Sequence, residues 1–592
     1  DTGQRTADLF ASGRQQIIRA TGFYFLNGRT KFTFNEEKGF DFEATLTLPQ
    51  NGPPILSFTF LPKEEAYYSI GYTGAPKFIP EEFDEIWQPL VWTERRFPDQ
   101  SYMTLAFRCP IPTTLVQKSG GTLGVLADPS EFPFDPLPTL DRSRFGVALR
   151  SQDGAAQPML FAPILGGHSS KLPVGEAFNF DLRLIAESNS LVQTFETIAR
   201  REFGFHDYRN NTLGSLNDVI DRMIEYAMSE YANFNAELKG CSYSTDVPDA
   251  VKNVSSLNPL NMALLRNDPA IFEERAYPII EYMLSREKFL FALDREQKIQ
   301  NPSRNMTGPA APVSELSSLY EISHEANPVF LNYATQLASK NRVLNLDQVA
   351  PGDSWQNFLA LYQATGEISY LKEARKRADV YVETHCSGLQ ATFAHQPFFW
   401  TEFVPDFPRL LELYEETRDR TYLEAARGAA RRFALFFWMS PAIPEQAVLV
   451  NEGNEAPVYY YLTRFREEPM EIPEEWAPAW RLSGIGLTPE STSTSSGHRA
   501  IFMANYAPWL LRIAEHTDDA FLHDIGRSAV IGRYRNFPGY HINTDRTTIY
   551  EKADYPLRKH DELNVNSFHY NHIWPHISLL FDFLVTDATN RS

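Results

Sequence analysis

The sequence predicts a multidomain β + α chain: an N-terminal antiparallel β-sandwich over residues 1–190, then an (α/α) toroid of helical hairpins over residues 191–592. Three observations predict it. With 592 residues the chain is too long for a single hydrophobic core. Up to about residue 190 apolar residues alternate with polar ones, the period of a half-buried strand, and beyond it they recur three and four apart, the period of a helix. Finally, "LYQATGEISYLKEARKRA" (361–378) returns 52 residues later as "LYEETRDRTYLEAARGAA" (413–430).

In the first part, "GFDFEATLTLP" (39–49) puts Phe40, Phe42, Ala44, Leu46 and Leu48 on one face. "PILSFTFLP", "AYYSIGYTG", "SYMTLAFRCPI", "RFGVALRS" and "AFNFDLRLIAE" read as further short strands, with Pro, Gly, Asp and Asn between them. "SLVQTFETIARREF" and "SLNDVIDRMIEYAMSEYANFN" open the helical part. Each repeat is the end of one helix, a polar turn and the start of the next, and "LLRNDPAIFEERA" (264–276) and "RIAEHTDDAFLHDIGRSA" (512–529) are looser copies. A lone αα-hairpin cannot bury its apolar face, so the copies must stack. Long loops between them favour a closed ring with a cleft at one end over an open solenoid.

A net charge of −20 makes nucleic acid and anionic membranes poor partners, and no apolar run is long enough to cross a bilayer. The first residue is Asp1, which reads as a mature chain after removal of an N-terminal segment and so as secreted or periplasmic. Cys109, Cys241 and Cys386 are odd in number and scattered, against a disulfide framework or thiolate metal site. Aromatics make up 13% of the chain, which suits either a large core or sugar-stacking clefts.

Four loop stretches carry candidate chemistry. "HQPFFWTEFVPDFPRL" (395–410) offers Trp400 as a sugar platform beside His395, Glu402 and Asp406, with Asp406 also placed to cap the helix after it. "NEGNEAPVYYYL" (451–462) pairs Glu452 with Glu455, puts the amides of Asn451 and Asn454 beside them, and supplies Tyr460. In "TPESTSTSSGHRAIFMANYAPWLLRIAEH" (488–516), His498, Phe502, Asn505 and Trp509 fall on one helical face, Arg499 stands beside it, and Pro508 is expected to kink the helix near its middle. In "NSFHYNHIWPHISLLFDFLV" (566–585), His569, His572 and His576 mimic a metal-binding face, but Pro575 places a helix start there and leaves His569, Tyr570 and His572 in the preceding loop. Arg558, with Lys559 and His560, adds cations nearby.

Three functions fit these residue types. A polysaccharide lyase needs a His or Tyr base, a Tyr or His acid, and Asn or Arg to neutralise a uronate carboxylate. A glycoside hydrolase of uronidase type needs two carboxylates, and Glu452 with Glu455 or Glu402 with Asp406 would supply them. A non-catalytic carbohydrate-binding scaffold would need neither. The wealth of His, Tyr, Asn and Arg in the loops favours the lyase.

With "NFPGYHINT" (536–544), "EKADYPLRKHD" (551–561) and "FHYNHIWPHI" (568–577) after a sandwich and a helical ring, the chain resembles the family-27 polysaccharide lyases, the L-rhamnose-α-1,4-D-glucuronate lyases acting on arabinogalactan side chains. The resemblance implies an acidic polysaccharide or oligosaccharide substrate and release of terminal rhamnose from glucuronate by β-elimination. On that substrate His498 or His569 is the expected base and Tyr570 or Tyr460 the acid. Asn454 and Arg499 bind the carboxylate, Trp400 stacks on the sugar, and Asn505 and Arg558 complete the binding set. The chemistry needs no cofactor, and a structural divalent cation stays open.

Overall fold

A computed structural model of the chain describes residues 14–89, 101, 103–135, 143–167, 169–209, 214–243, 247–345, 347, 349–386, 406–456, 470–471, 473–486, 506–536 and 573–591. The N-terminal strands are β1 (Gly22–Leu26), β2 (Arg29–Thr33), β3 (Phe40–Thr47), β4 (Ile55–Pro62), β5 (Ala66–Tyr67), β6 (Ile70–Tyr72), β7 (Glu85–Trp87), β8 (Thr104–Leu105), β9 (Thr113–Lys118), β10 (Gly121–Ala127), β11 (Gly146–Arg150), β12 (Ala156–Ala162), β13 (Lys171–Leu172) and β14 (Phe178–Glu187). They form an eight-stranded antiparallel sheet in the order β1-β2-β3-β4-β14-β10-β9-β7, a four-stranded sheet β6-β12-β11-β8, and the pair β13-β5.

One core lies between the two larger sheets. Phe58, Phe60, Phe178 and Phe180 come from the large sheet, and Phe145, Val147 and Leu160 from the small sheet and its approach. The register sets Ala44 and Phe180 on either side of Phe58, so side chains of one face line up across three strands. Phe180 meets Phe145 with ring centroids 5.5 Å apart. Much of the aromatic content is therefore core, and Phe180 is 1% exposed, so truncating it to Ala would cost roughly 3–5 kcal/mol. The expected strand "SYMTLAFRCPI" is paired only at Thr104–Leu105 and then winds into a 3₁₀ turn, Ala106–Arg108.

The helices are α1 (Leu191–Phe203), α2 (Leu216–Met228), α3 (Leu257–Arg266), α4 (Pro269–Ile271), α5 (Tyr277–Ser285), α6 (Val313–Ile322), α7 (Pro328–Leu337), α8 (Trp355–Thr365), α9 (Ile368–Tyr381), α10 (Phe407–Thr417), α11 (Arg420–Phe433), α12 (Ala479–Leu482), α13 (Ala507–Thr517), α14 (Ala520–Asn536) and α15 (Ile573–Asn590). α6/α7, α8/α9, α10/α11 and α13/α14 pack as hairpins. α3 touches α6, α6 touches α8, α10 touches α13, α13 touches α15, and α15 touches α3. Hydrogen bonds from Gln356 to Asp406 and from Gln363 to Glu416 join α8 to α10.

The repeated sequence has a repeated mechanism. The last residue of the first helix is Thr365, Thr417 or Thr517, and each hydroxyl donates to the carbonyl four residues back, at 2.6–2.7 Å. The next residue, Gly366, Arg418 or Asp518, takes a left-handed conformation that ends the helix. In the second and third copies an aspartate follows and caps the next helix, Asp419 onto Thr421 and Asp519 onto Leu522. Asn267 and Asp268 do the same after α3.

The two regions share a core. Trp87, Leu115, Leu126 and Ile185 from the large sheet join the same apolar cluster as α1, α2, α10, α11, α13, α14 and α15. Ion pairs tie the seam, with Arg432 on Glu85 at 2.6 Å and Arg183 between Asp128 (2.7 Å) and Glu202.

Two helix expectations need correction. Pro508 does not kink a helix at its middle; α13 begins at Ala507 and Pro508 sits in its first turn, where a missing N–H costs nothing. α15 starts at Ile573, two residues before Pro575. His576 lies in its first turns, 2% exposed, with Nδ1 3.0 Å from the Tyr534 hydroxyl.

Candidate functional site

The hairpins have two ends. One holds the turns just described. The other holds the starts of α8, α10 and α13 and the end of α9, and there the charged and polar side chains are arranged differently.

Asp406 caps α10. Its Oδ1 accepts from Arg409 N (3.2 Å), its Oδ2 accepts from Gln356 Nε2 (3.4 Å), and its own N–H donates to the Tyr381 hydroxyl (2.8 Å). Burial raises the Asp406 pKa above the usual carboxylate range, and Arg409, which opposes this, is itself paired with Glu412. The acid form therefore persists to higher pH than in an exposed carboxyl. Burial likewise pushes the Tyr381 and Tyr506 phenols up, with the nearby Asp406 charge adding to it, so both remain protonated donors. The Cys386 thiol is pushed by burial to about 11.

Aromatic rings frame the group. Tyr381 stacks on His385 (centroids 4.5 Å apart, planes at 15°) and lies 5.5 Å from Trp355. Tyr506 lies 5.5 Å from Phe407 and 6.1 Å from Trp509. Trp355 is 4% exposed. Among the described residues, the buried Nε1 atoms of Trp355 and Trp509 have no hydrogen-bond partner. Such orphaned donors are uncommon in folded proteins and mark places where water or a ligand oxygen completes the bonding.

Deeper along the same helices the charges pair. Arg512 on α13 reaches both carboxylate oxygens of Glu415 on α10, Nε at 3.1 Å, and His516 Nε2 lies 3.4 Å from the same group. Asp582 on α15 is raised by burial, which Arg512 opposes and Glu412 reinforces. Among the described residues no three His, Cys, Asp or Glu side chains gather into a metal-binding group.

Of the residues expected from sequence to form the site, His498, His569, Tyr570, Tyr460, Arg499, Trp400, Asn505 and Arg558 lie outside the described residues, as do His395, Glu402 and His572. Asn454 is described. It has a left-handed backbone and its Oδ1 accepts from Glu474 N at 3.1 Å. Asn451 donates from Nδ2 to Pro473 O (3.3 Å), and Gly453 N donates to Glu474 (2.9 Å), so this loop is pinned to the segment at 473–474. Glu452 and Glu455 lie exposed on it. Asp406 is both a cap and a member of the cluster.

Tyr381, Gln356, Trp355, Arg409, Glu412 and Asp582 were not anticipated. The repeat held the signal. Trp355, Gln356, Asn357, Ala360 and Tyr381 match Phe407, Pro408, Arg409, Glu412 and Phe433 at the same offset of 52. These positions change chemistry between copies while the Leu, Tyr and Thr framework recurs. Asp582 stands alone among apolar residues in "SLLFDFLV".

No protein-family model matches the chain, and no curated protein matches its sequence. Among solved structures, a polysaccharide lyase superposes over 98% of this chain and 91% of its own, with a TM-score of 0.41 and 10% identity. The cellulase Cel9M of C. cellulolyticum covers 62% of this chain and 84% of its own, at TM-score 0.27 and 12% identity. The cellobiose 2-epimerase from Spirochaeta thermophila covers 62% and 98%, at 0.22 and 10%. Likenesses this distant assign no role to any residue.

Proposed function

We propose that this chain is a polysaccharide lyase that cleaves the bond at C4 of a uronate, glucuronate in the first instance, by β-elimination. The observation that carries the reading is the set of uncharged donors at the start of α8, α10 and α13. The Trp355 indole lies 5.5 Å from the Tyr381 ring and the Trp509 indole 6.1 Å from the Tyr506 ring, and Tyr381 binds the backbone N–H of Asp406, whose carboxyl pKa burial raises. Neutral donors in a desolvated site receive a sugar carboxylate without a competing counter-ion.

In the elimination a base removes H5, and the electron pair enters the carboxylate-stabilised enolate. The pair then forms the C4–C5 double bond as the C4–O bond breaks, and the leaving oxygen takes a proton. Tyr381, protonated by burial, suits that last step. His498 or His569 remains the proposed base, with Tyr570 or Tyr460 as the other acid candidate. Asn454, Arg499, Asn505, Arg558 and Trp400 remain proposed binding residues. On this reading the contact circuit of α3, α6, α8, α10, α13 and α15 is the inner wall of an (α/α) toroid spanning residues 191–592, behind a sandwich domain of residues 1–190. Terminal rhamnose on an arabinogalactan side chain is the proposed leaving group, no cofactor takes part, and the enzyme works outside the cytoplasm, secreted or periplasmic.

Asp406 also favours a second reading. A carboxyl raised by burial beside Glu412 is what the acid of a glycoside hydrolase requires. Incubation with a glucuronate-bearing arabinogalactan separates the two. A growing ultraviolet band of a 4,5-unsaturated uronate is the expected result. Sugar release without that band would overturn elimination in favour of hydrolysis.

A further inference from the structure

The N-terminal edge of the large sheet carries side chains that neither core uses. In β1, Phe23, Tyr24, Phe25 and Leu26 are 64%, 48%, 76% and 45% exposed. β1 is an edge strand, and β7 is the strand at the other edge, from which Glu85 binds the helical region through Arg432. Seven strand spacings separate the two edges, about 34 Å at ~4.8 Å each, so this hairpin stands far from the cluster around Asp406. A long exposed apolar edge is an aggregation hazard unless something covers it.

Charge indicates what covers it. Residues 14–35 contain Arg14, Arg19, Arg29 and Lys31 and no Asp or Glu, on a chain whose net charge is −20. The register places Tyr24 opposite Lys31 and Leu26 opposite Arg29. Opposite residues in an antiparallel pair share a face. One face of the hairpin therefore sets an exposed phenol ring and an apolar side chain directly beside two cations. A pyranose ring stacks on such a ring by its C–H face, and a carboxylate on the sugar meets the neighbouring cation.

We propose that the β1–β2 hairpin is an accessory binding strip for an acidic polysaccharide, with Tyr24 as the stacking platform and Lys31 and Arg29 as the carboxylate contacts. It holds a polymer on the enzyme rather than acting on it. The acidic ligand rests on the lyase reading above. An anionic membrane is the competing ligand for a basic, aromatic hairpin. The spread of the groups along one face, with polar Tyr24 at its centre, favours an extended polymer over insertion of the tip at Asn27–Gly28.

The test is affinity electrophoresis of the full chain through gels containing polygalacturonate, alginate or hyaluronan, with dextran as neutral control. Wild type is expected to be retarded by at least one acidic polymer and not by dextran, and less so as NaCl rises. Tyr24→Ala/Arg29→Ala/Lys31→Ala is expected to weaken that retardation at least tenfold with an unchanged melting temperature. The charge-only Arg29→Glu/Lys31→Glu should do the same. Equal retardation of wild type and both hairpin variants would overturn the proposal. So would no retardation by any acidic polymer, or hairpin-dependent binding only to phosphatidylserine vesicles. If the hairpin variants lose binding but no unsaturated uronate forms from any polymer, the strip stands and the lyase reading falls. If the product forms while binding ignores the hairpin, the strip falls alone.

Discussion

At the turn end of the hairpins Asp519 caps α14 by accepting from Leu522 N at 3.3 Å, and at the opposite end Asp406 caps α10 by accepting from Arg409 N at 3.2 Å. Burial pushes both carboxyls upward. At Asp519 the hydrogen-bonded guanidiniums of Arg431 (2.7 Å) and Arg427 (2.9 Å) outweigh it, and the pKa falls below its ordinary value. At Asp406 burial outweighs Arg409, already engaged by Glu412, and the hydrogen bond from the uncharged Gln356, and the pKa rises. One residue type with one local role thus ends as a paired anion in the first place and as a biased acid in the second. The first arrangement joins α11 to α13 and α14, and Arg431 carries it on to Glu196 of α1 at 2.8 Å. The second leaves a carboxyl whose acid form burial favours, next to the Tyr381 hydroxyl that its backbone N–H binds. The turn end holds the fold, and on the proposed function the loop end meets the substrate.

Substitutions at the two ends sharpen this contrast. Asp519→Ala takes this carboxylate from Arg427, leaves Arg431 with Glu196 alone, and removes a cap, so unfolding should become easier by about 2 kcal/mol. Urea titration checks it, and a change near zero would mean the network contributes nothing. Trp355→Phe removes the indole donor and its five-membered ring while keeping an aromatic ring. It should lower turnover about tenfold, while the space left at this 4%-exposed position costs roughly 1–3 kcal/mol and leaves the protein folded. Asp406→Asn keeps a capping oxygen, so its stability at neutral pH should stay within about 1 kcal/mol of wild type.

The pH dependence should run in opposite directions at the two ends. The folded pKa of Asp406 lies above its ordinary value of 3.8, so folding binds a proton. Its contribution is full below that value and is lost as pH rises through the folded pKa. Asp519 is the reverse: its contribution is full above 3.8 and is lost as pH falls through its lowered pKa. Melting curves of Asp406→Asn against wild type should therefore diverge above pH 4 to the variant's benefit. Those of Asp519→Asn should lose their deficit only in strong acid. The same sign for both would remove the distinction.

Local chemistry decided how much the sequence could show. The hairpin turns were legible because Thr417, Arg418 and Asp419 act on neighbours within four residues, and copies of them recur. The alternation of Phe40, Phe42 and Ala44 was legible for the same reason. The Tyr381–Asp406 contact joins residues 25 apart and the Arg512–Glu415 pair residues 97 apart. Nothing in either stretch alone names the other. Asp406 could be read as a cap because Pro408 follows it, but its raised pKa depends on α8, α9 and α13 closing around it.

Turnover by Tyr381→Phe tests the central claim most directly. The substitution removes one hydroxyl and one hydrogen bond to Asp406 N, and keeps the ring that packs on Trp355 and His385. With glucuronate-bearing arabinogalactan as substrate and unsaturated uronate absorbance as readout, turnover is expected to fall at least about 100-fold, with a melting temperature near that of wild type. A folded Tyr381→Phe protein that forms the product at the wild-type rate would contradict the placement of the chemistry at this end of the hairpins.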